Sequence, residues 1–212
     1  MKGLIKKDLF MLKSNMRYII IFSVLYFFIA SNQADDVFAI SFILPFLMVV
    51  MMNSTFSYDE YNKWFSYAVT MPNGRANIAK SKYIVAILGS IFASILSILL
   101  IMILASFKGS LNLDNLASST VSSIFACLFM VSIMFPFILK YGTEKGRLVM
   151  FVISFVIIGG SVLLFKMPKF KISAGAIIFL TKYSLLLTVI ISVIMVGISY
   201  FISKKIISKK EF

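Results

Sequence analysis

The chain has 212 residues, 60% of them hydrophobic, 15% aromatic and only 14% charged, whereas soluble domains run near a quarter charged, so a water-soluble fold is excluded and lipid is the solvent for the excess. Its net charge of +13 comes from 21 lysines and arginines that lie mostly between apolar runs, which excludes nucleic acid as a partner and assigns the charge to membrane topology and anionic head groups. With no histidine and one cysteine, the commonest general base, the commonest metal ligand and any internal disulfide are lacking.

From Met1 to Met16, the residues Ile5, Leu9, Leu12 and Met16 follow a helical rhythm, and Lys2, Lys6 and Lys13 fall on a neighbouring polar side. This predicts an amphipathic helix lying in the membrane interface over 1–16. A plain basic flank of the first span is the alternative; Leu4, Phe10 and Met11 widen the apolar face and favour the helix. The lysines before Tyr18 to Ala30, with Ala30 and Ala34 as small residues, have the outline of a signal peptide. Five further apolar runs make that stretch a retained span instead. A span needs about 20 apolar residues, and six runs qualify, at about 17–32, 38–57, 83–107, 116–139, 148–166 and 182–203. The expected fold is therefore an all-α integral membrane protein, a single transmembrane domain over 1–212 with six transmembrane helices, because a barrel would alternate in ten-residue strands.

Orientation follows from the basic residues. The segments 1–17, 58–82, 140–147 and 204–212 carry five, four, three and four, while the loops near 31–37, 108–115 and 166–181 carry none, one and three. The positive-inside rule places both termini in the cytoplasm. Lys166, Lys169 and Lys171 are the counter-signal on the outer side.

The inner loop SYDEYNKWFSYAVTMPNGRANIAKSKY, 57–83, holds Asp59, Glu60 and the single tryptophan, Trp64. A short helix from Asp59 to about Val69 is expected, with the acids in its first turn where they suit the helix dipole. Tyr61, Trp64, Phe65 and Ala68 then share a face, and Pro72, Asn73 and Gly74 form a turn. Such a face suits docking to another protein and suits the membrane interface equally. Within the spans, Gly89, Ala93 and Ser97 recur at fours, as do Ser90 and Ser94, and five hydroxyls crowd 118–123. Close helix packing explains them best, and a polar translocation lining is the rival. Pro45, Pro136, Gly159 and Gly160 are expected kinks or soft points, and Cys127 a small packed hydrophobe.

No glycine-rich loop followed by lysine and a hydroxyl residue is present, so nucleotide is not bound by the Walker route. The eight acids all fall in loops or flanks, leaving no ionisable group of the kind ion-coupled carriers keep in the membrane. The energy for any transport is expected from a partner.

The run FSYDEYNKWFSYAVTMPNGRANIAKSKY resembles a signature of type-2 ABC transporter permeases, in their small bacterial six-span branch: a tyrosine and acidic pair after the second span, a lysine-tryptophan, then a small-residue run closed by a proline turn. The opening MKGLIKKDLFMLK is similar to the branch's N-terminal helix. The chain is also similar to the membrane subunits of exporters of phenol-soluble modulins, which are small amphipathic toxin peptides. The resemblance implies a permease without its own ATPase activity in the cell membrane of a Gram-positive bacterium. It implies a separate ABC ATPase subunit that binds the cofactors ATP and Mg, a second permease subunit (identical or related), and an amphipathic or hydrophobic peptide as cargo. It also implies that the loop after the second span carries a coupling helix seated on the ATPase. Asp59, Glu60, Lys63 and Trp64 are then the contact candidates, with Tyr58, Tyr61 and Arg75 behind them. Short outer helices before the last span, here SAGAIIFL at 173–180, are a further implication. The alternative is a membrane immunity or scaffold protein that sequesters a toxic peptide without transporting it. An intramembrane enzyme lacks the usual catalytic groups.

Overall fold

The computed structural model describes residues 2–32, 37–71, 74–108, 113–166 and 174–210. Among these, seven helices follow in order: α1 Lys2–Asn32, α2 Val37–Tyr61, α3 Trp64–Val69, α4 Gly74–Lys108, α5 Leu113–Tyr141, α6 Thr143–Lys166 and α7 Ala174–Lys209. Three segments of the described residues, Gly74–Leu104, Ser119–Tyr141 and Leu186–Lys209, are long and apolar enough to cross a membrane. Their outward residues are those of a lipid-facing surface: Ile95 and Leu99 on α4, Val193 and Ile198 on α7 are about half exposed or more. In water such a surface would aggregate; in hydrocarbon it is solvated.

Three sequence expectations change. The interfacial helix over 1–16 is not a separate element, because α1 runs unbroken through residue 16 to Asn32. No proline or glycine interrupts it there, and at 1.5 Å per residue its 31 residues reach about 46 Å, longer than the roughly 30 Å hydrocarbon core. The short helix of the inner loop starts at Trp64, not Asp59: Lys63 adopts the left-handed conformation (φ 52°) and separates α3 from the last turn of α2. Asp59 and Glu60 therefore sit at a helix C-terminus, where the dipole disfavours them. Finally, Ala174 to Leu180 open α7 without a break, in place of a separate outer helix, and Ser173 lies outside the described residues.

The bundle is centred on α2, α4, α5 and α7, with α1 against α2 and α4, and α6 against α5 and α2. Small residues set the α2–α4 approach. A β-carbon on Gly89 would meet the side chains of Met48 and Met52. Ser90, Ala93, Ser94 and Ser97 are all buried. The three serine hydroxyls donate to Ile87, Ser90 and Ala93 carbonyls of their own helix at 2.9 Å, so they pack and line nothing. Pro45 and Pro136 fall inside α2 and α5, and the buried Cys127 thiol reaches the Pro45 carbonyl at 3.7 Å.

An aromatic column ties the four central helices together. Phe56 stacks edge-on against Phe135 at 4.9 Å, Phe135 against Tyr83 at 5.2 Å, and Tyr83 against Tyr200 at 5.6 Å. The Tyr83 hydroxyl sits between Ser199 and Ser203, and Ser199 donates onward to the Ser132 carbonyl at 2.6 Å. This satisfies the polar tip of a buried ring.

Gly74 closes the α3–α4 turn by close approach: its N–H donates to Met71 at 2.8 Å, and an added β-carbon would run into the Ala68 carbonyl. Gly74→Ala gains about 0.5 kcal/mol from a stiffer unfolded chain against an overpacking cost of about 1–3 kcal/mol. The expected net loss is about 1 kcal/mol, read as earlier thermal unfolding in detergent.

Candidate functional site

The start of α1, the end of α2, all of α3, the start of α4, the α5–α6 turn and the end of α7 meet at one end of the bundle. Side-chain bonds between α1 and α4, α2 and α6, α4 and α7, and from Lys210 just past α7 to α5 fasten these segments together. They are also the segments that carry most of the basic residues.

At the centre of this end lie two acids and two lysines. Asp8 and Asp59 are each 1% exposed and Lys82 is 4% exposed. The Lys82 ammonium donates to Asp8 Oδ1 at 3.0 Å and Thr55 Oγ1 at 3.2 Å. It also lies 2.6 Å from Asp59 Oδ2, held there by charge and off the direction a hydrogen bond requires. Lys7 closes the ring from the half-buried side, donating to Asp59 Oδ1 and lying 3.4 Å from Asp8 Oδ1. Two positive and two negative charges alternate, so the cluster is neutral and each carboxylate is paired. That is what makes burial of four ions tolerable. Aromatic faces complete the enclosure: Lys82 lies 4.7 Å from the Phe56 ring centre and Lys7 4.7 Å from that of Trp64.

The cluster corrects the assignment of every acid to a loop or flank. Asp8 shares the buried face of α1 with Leu12, and Lys82, counted with the loop cations, points inward. Lys82 stands eight residues, about 12 Å, into α4. The charges are thus near the end of the bundle and not at its middle. Among the described residues no group of three or more histidine, cysteine, aspartate and glutamate side chains could hold a metal.

Glu60 turns away from this ring. Its Oε2 accepts the Thr143 N–H at 2.8 Å, capping the first turn of α6. Gly142, at φ +90°, gives it room, since a β-carbon there would stand 2.8 Å from Glu60 Oε1. Arg147 on α6 adds a bond to Ser57 Oγ at 3.2 Å. A cleft of about 210 Å³ lies between these elements, walled by Phe56, Asp59, Glu60, Thr143 and Lys210.

The seven residues singled out from the sequence are split by this geometry into an inner and an outer set. Asp59 is inside the ion cluster. Trp64 is half-buried beneath Lys7 and beside Tyr67, with its Nε1 buried and unbonded. Arg75 donates to the Ser208 carbonyl on α7. Tyr58 and Lys63 are exposed, and Tyr61 is 87% exposed, on the surface around the α2–α3 break. Tyr67, 58% exposed, joins them and was not singled out. Asp8, Lys7 and Lys82 were missed as site residues. The signal available was Asp8, placed three and four residues from Ile5 and Leu12 on the apolar stripe.

The model of the family described as ABC-2 family transporter protein matches residues 3–208. Among curated proteins and among solved structures, none matches the chain.

Proposed function

Because the chain belongs to the ABC-2 family of transporter proteins, whose membrane proteins are transport subunits and not ATPases themselves, we propose that it is the permease of an ATP-driven exporter. In this reading both termini are cytoplasmic, and the end bearing the ion cluster faces an ABC ATPase. The observation that carries the reading is the division of the α2–α3–α4 junction. Its outer surface presents Tyr58, Tyr61, Lys63 and Tyr67, and its inner surface presents Asp59 and Trp64 to the bundle. A force applied at the tyrosines reaches α1 and α4 through Asp59 and Lys82, and α6 through Glu60. Exposed tyrosines flanking a short helix are the kind of anchor that dominates protein interfaces. The concentration of lysine and arginine at this end supports its cytoplasmic placement.

The permease works as a pair, with an identical or related second subunit, and its cargo is an amphipathic or hydrophobic peptide of the phenol-soluble modulin kind. The resemblance of the chain to the membrane subunits of such exporters supports the cargo class.

Co-expression with an ABC ATPase encoded beside it, followed by affinity capture and assay of peptide-stimulated ATP hydrolysis, tests the proposal. The paired substitution Tyr61→Ala and Lys63→Glu is expected to reduce capture by about tenfold or more, the size expected of an interface anchor, without changing elution of the permease itself. Undiminished capture would remove the junction from the interface. Peptide retention with no ATP hydrolysis would favour sequestration over export.

A further inference from the structure

A seam between α1 and α4 runs down the side of the bundle away from the ion cluster. Its upper half is an apolar groove of about 290 Å³ lined by Leu12, Met16, Ile19 and Phe92, with Lys13 as its charged lining residue. Its lower half, about 250 Å³, shares Ile19 and continues along Ser23, Val24, Leu96 and Leu100. Ser23 contributes no free polarity there, because its hydroxyl donates to the Ile19 carbonyl at 2.6 Å. The two cavities share Ile19 as a common wall, with a cation lining the upper one and apolar side chains lining the lower.

Two features say what fits the seam. Lys13 is exposed and is paired with no acid among the described residues, the Asp8 carboxylate being taken by Lys7 and Lys82. From Lys13 to Val24 is eleven residues, about 16 Å along a helix, which matches the roughly 15 Å depth of one leaflet of a 30 Å hydrocarbon core. We infer that the α1–α4 seam is a binding site for an anionic phospholipid, its phosphate at Lys13 and one acyl chain lying along Ile19 to Leu100.

Native mass spectrometry of the full-length protein, released from detergent in equimolar phosphatidylglycerol and phosphatidylcholine, tests the site. Wild type is expected to retain phosphatidylglycerol about fivefold over phosphatidylcholine, corresponding to about 1 kcal/mol for one lysine against an anionic head group. Lys13→Gln should erase the preference and Lys13→Arg should keep it. Ser23→Phe, which fills the lower half, should reduce retention of both lipids several-fold. Equal retention of the two lipids by wild type, or a preference untouched by Lys13→Gln, would overturn the head-group assignment. Unchanged retention in a Ser23→Phe protein that elutes normally would overturn the acyl-chain assignment. Displacement of the bound lipid by an equimolar amphipathic helical peptide would give the seam to cargo and overturn the proposal.

Discussion

Lys82→Met is expected to destabilise the protein by about 3–5 kcal/mol, the cost of leaving a buried charge without its partner. The wild-type ring is neutral: Lys7 and Lys82 against Asp8 and Asp59. Removing Lys82 leaves two carboxylates, both 1% exposed, facing a single ammonium, and takes the bonded ammonium from Thr55 as well. The surplus negative charge then sits on carboxylates that are both almost fully buried. Adding Asp8→Asn to Lys82→Met restores neutrality, with Lys7 still on Asp59, and should recover most of the loss. Thermal unfolding in detergent, followed by the fraction remaining monodisperse, measures both steps. Asp8→Asn alone should cost nearly as much as Lys82→Met, because it leaves a buried ammonium in surplus. If Lys82→Met costs under about 1 kcal/mol, or if the double variant is worse than either single one, the ring is not the joint that holds α1 to α2 and α4.

The ring also marks where sequence reading stops. The all-helical character was legible because the apolar runs are long and uninterrupted, and the packing role of Gly89, Ala93 and Ser97 followed from spacing within one helix. The cluster joins residues 52 and 74 positions apart, and no local pattern encodes that pairing. Lysines flanking apolar runs look alike whether they stay exposed, as Lys13 does, or turn inward, as Lys82 does. The break at Lys63 was hidden for a related reason. Lysine has no special liking for the left-handed region, so nothing in DEYNKWF separates acids that end one helix from aromatics that start the next. The acids' position at a helix C-terminus is unfavourable locally and becomes intelligible only with Lys7, Lys82 and the Thr143 N–H in view.

Glu60→Ala is expected to loosen α6 from the rest of this end at a cost of about 2 kcal/mol, the size of a hydrogen bond to a charged acceptor. The carboxylate does two jobs at once: it accepts an N–H that the first turn of α6 otherwise leaves unpaired, and it sets negative charge at that helix N-terminus. Helix α6 packs only on α5 and α2 among the described residues, and Gly142, at φ +90°, forms the turn between α5 and α6. The Glu60 bond and the Arg147–Ser57 bond are therefore its polar ties to α2. Glu60→Gln keeps an acceptor oxygen and loses the charge, so it should cost less, about 1 kcal/mol. Amide hydrogen exchange reads the effect directly. Residues 143–147 should exchange at least tenfold faster in Glu60→Ala, with the first turn of α4 unaffected, because that turn is held by other partners. A protection pattern over 143–147 identical to wild type would mean that α6 is seated without the Glu60 bond, by its packing on α5 and α2 and by the Arg147–Ser57 bond. The Glu60 carboxylate would then carry no movement of the α2–α3–α4 junction to α6, and that branch of the proposed coupling would be removed.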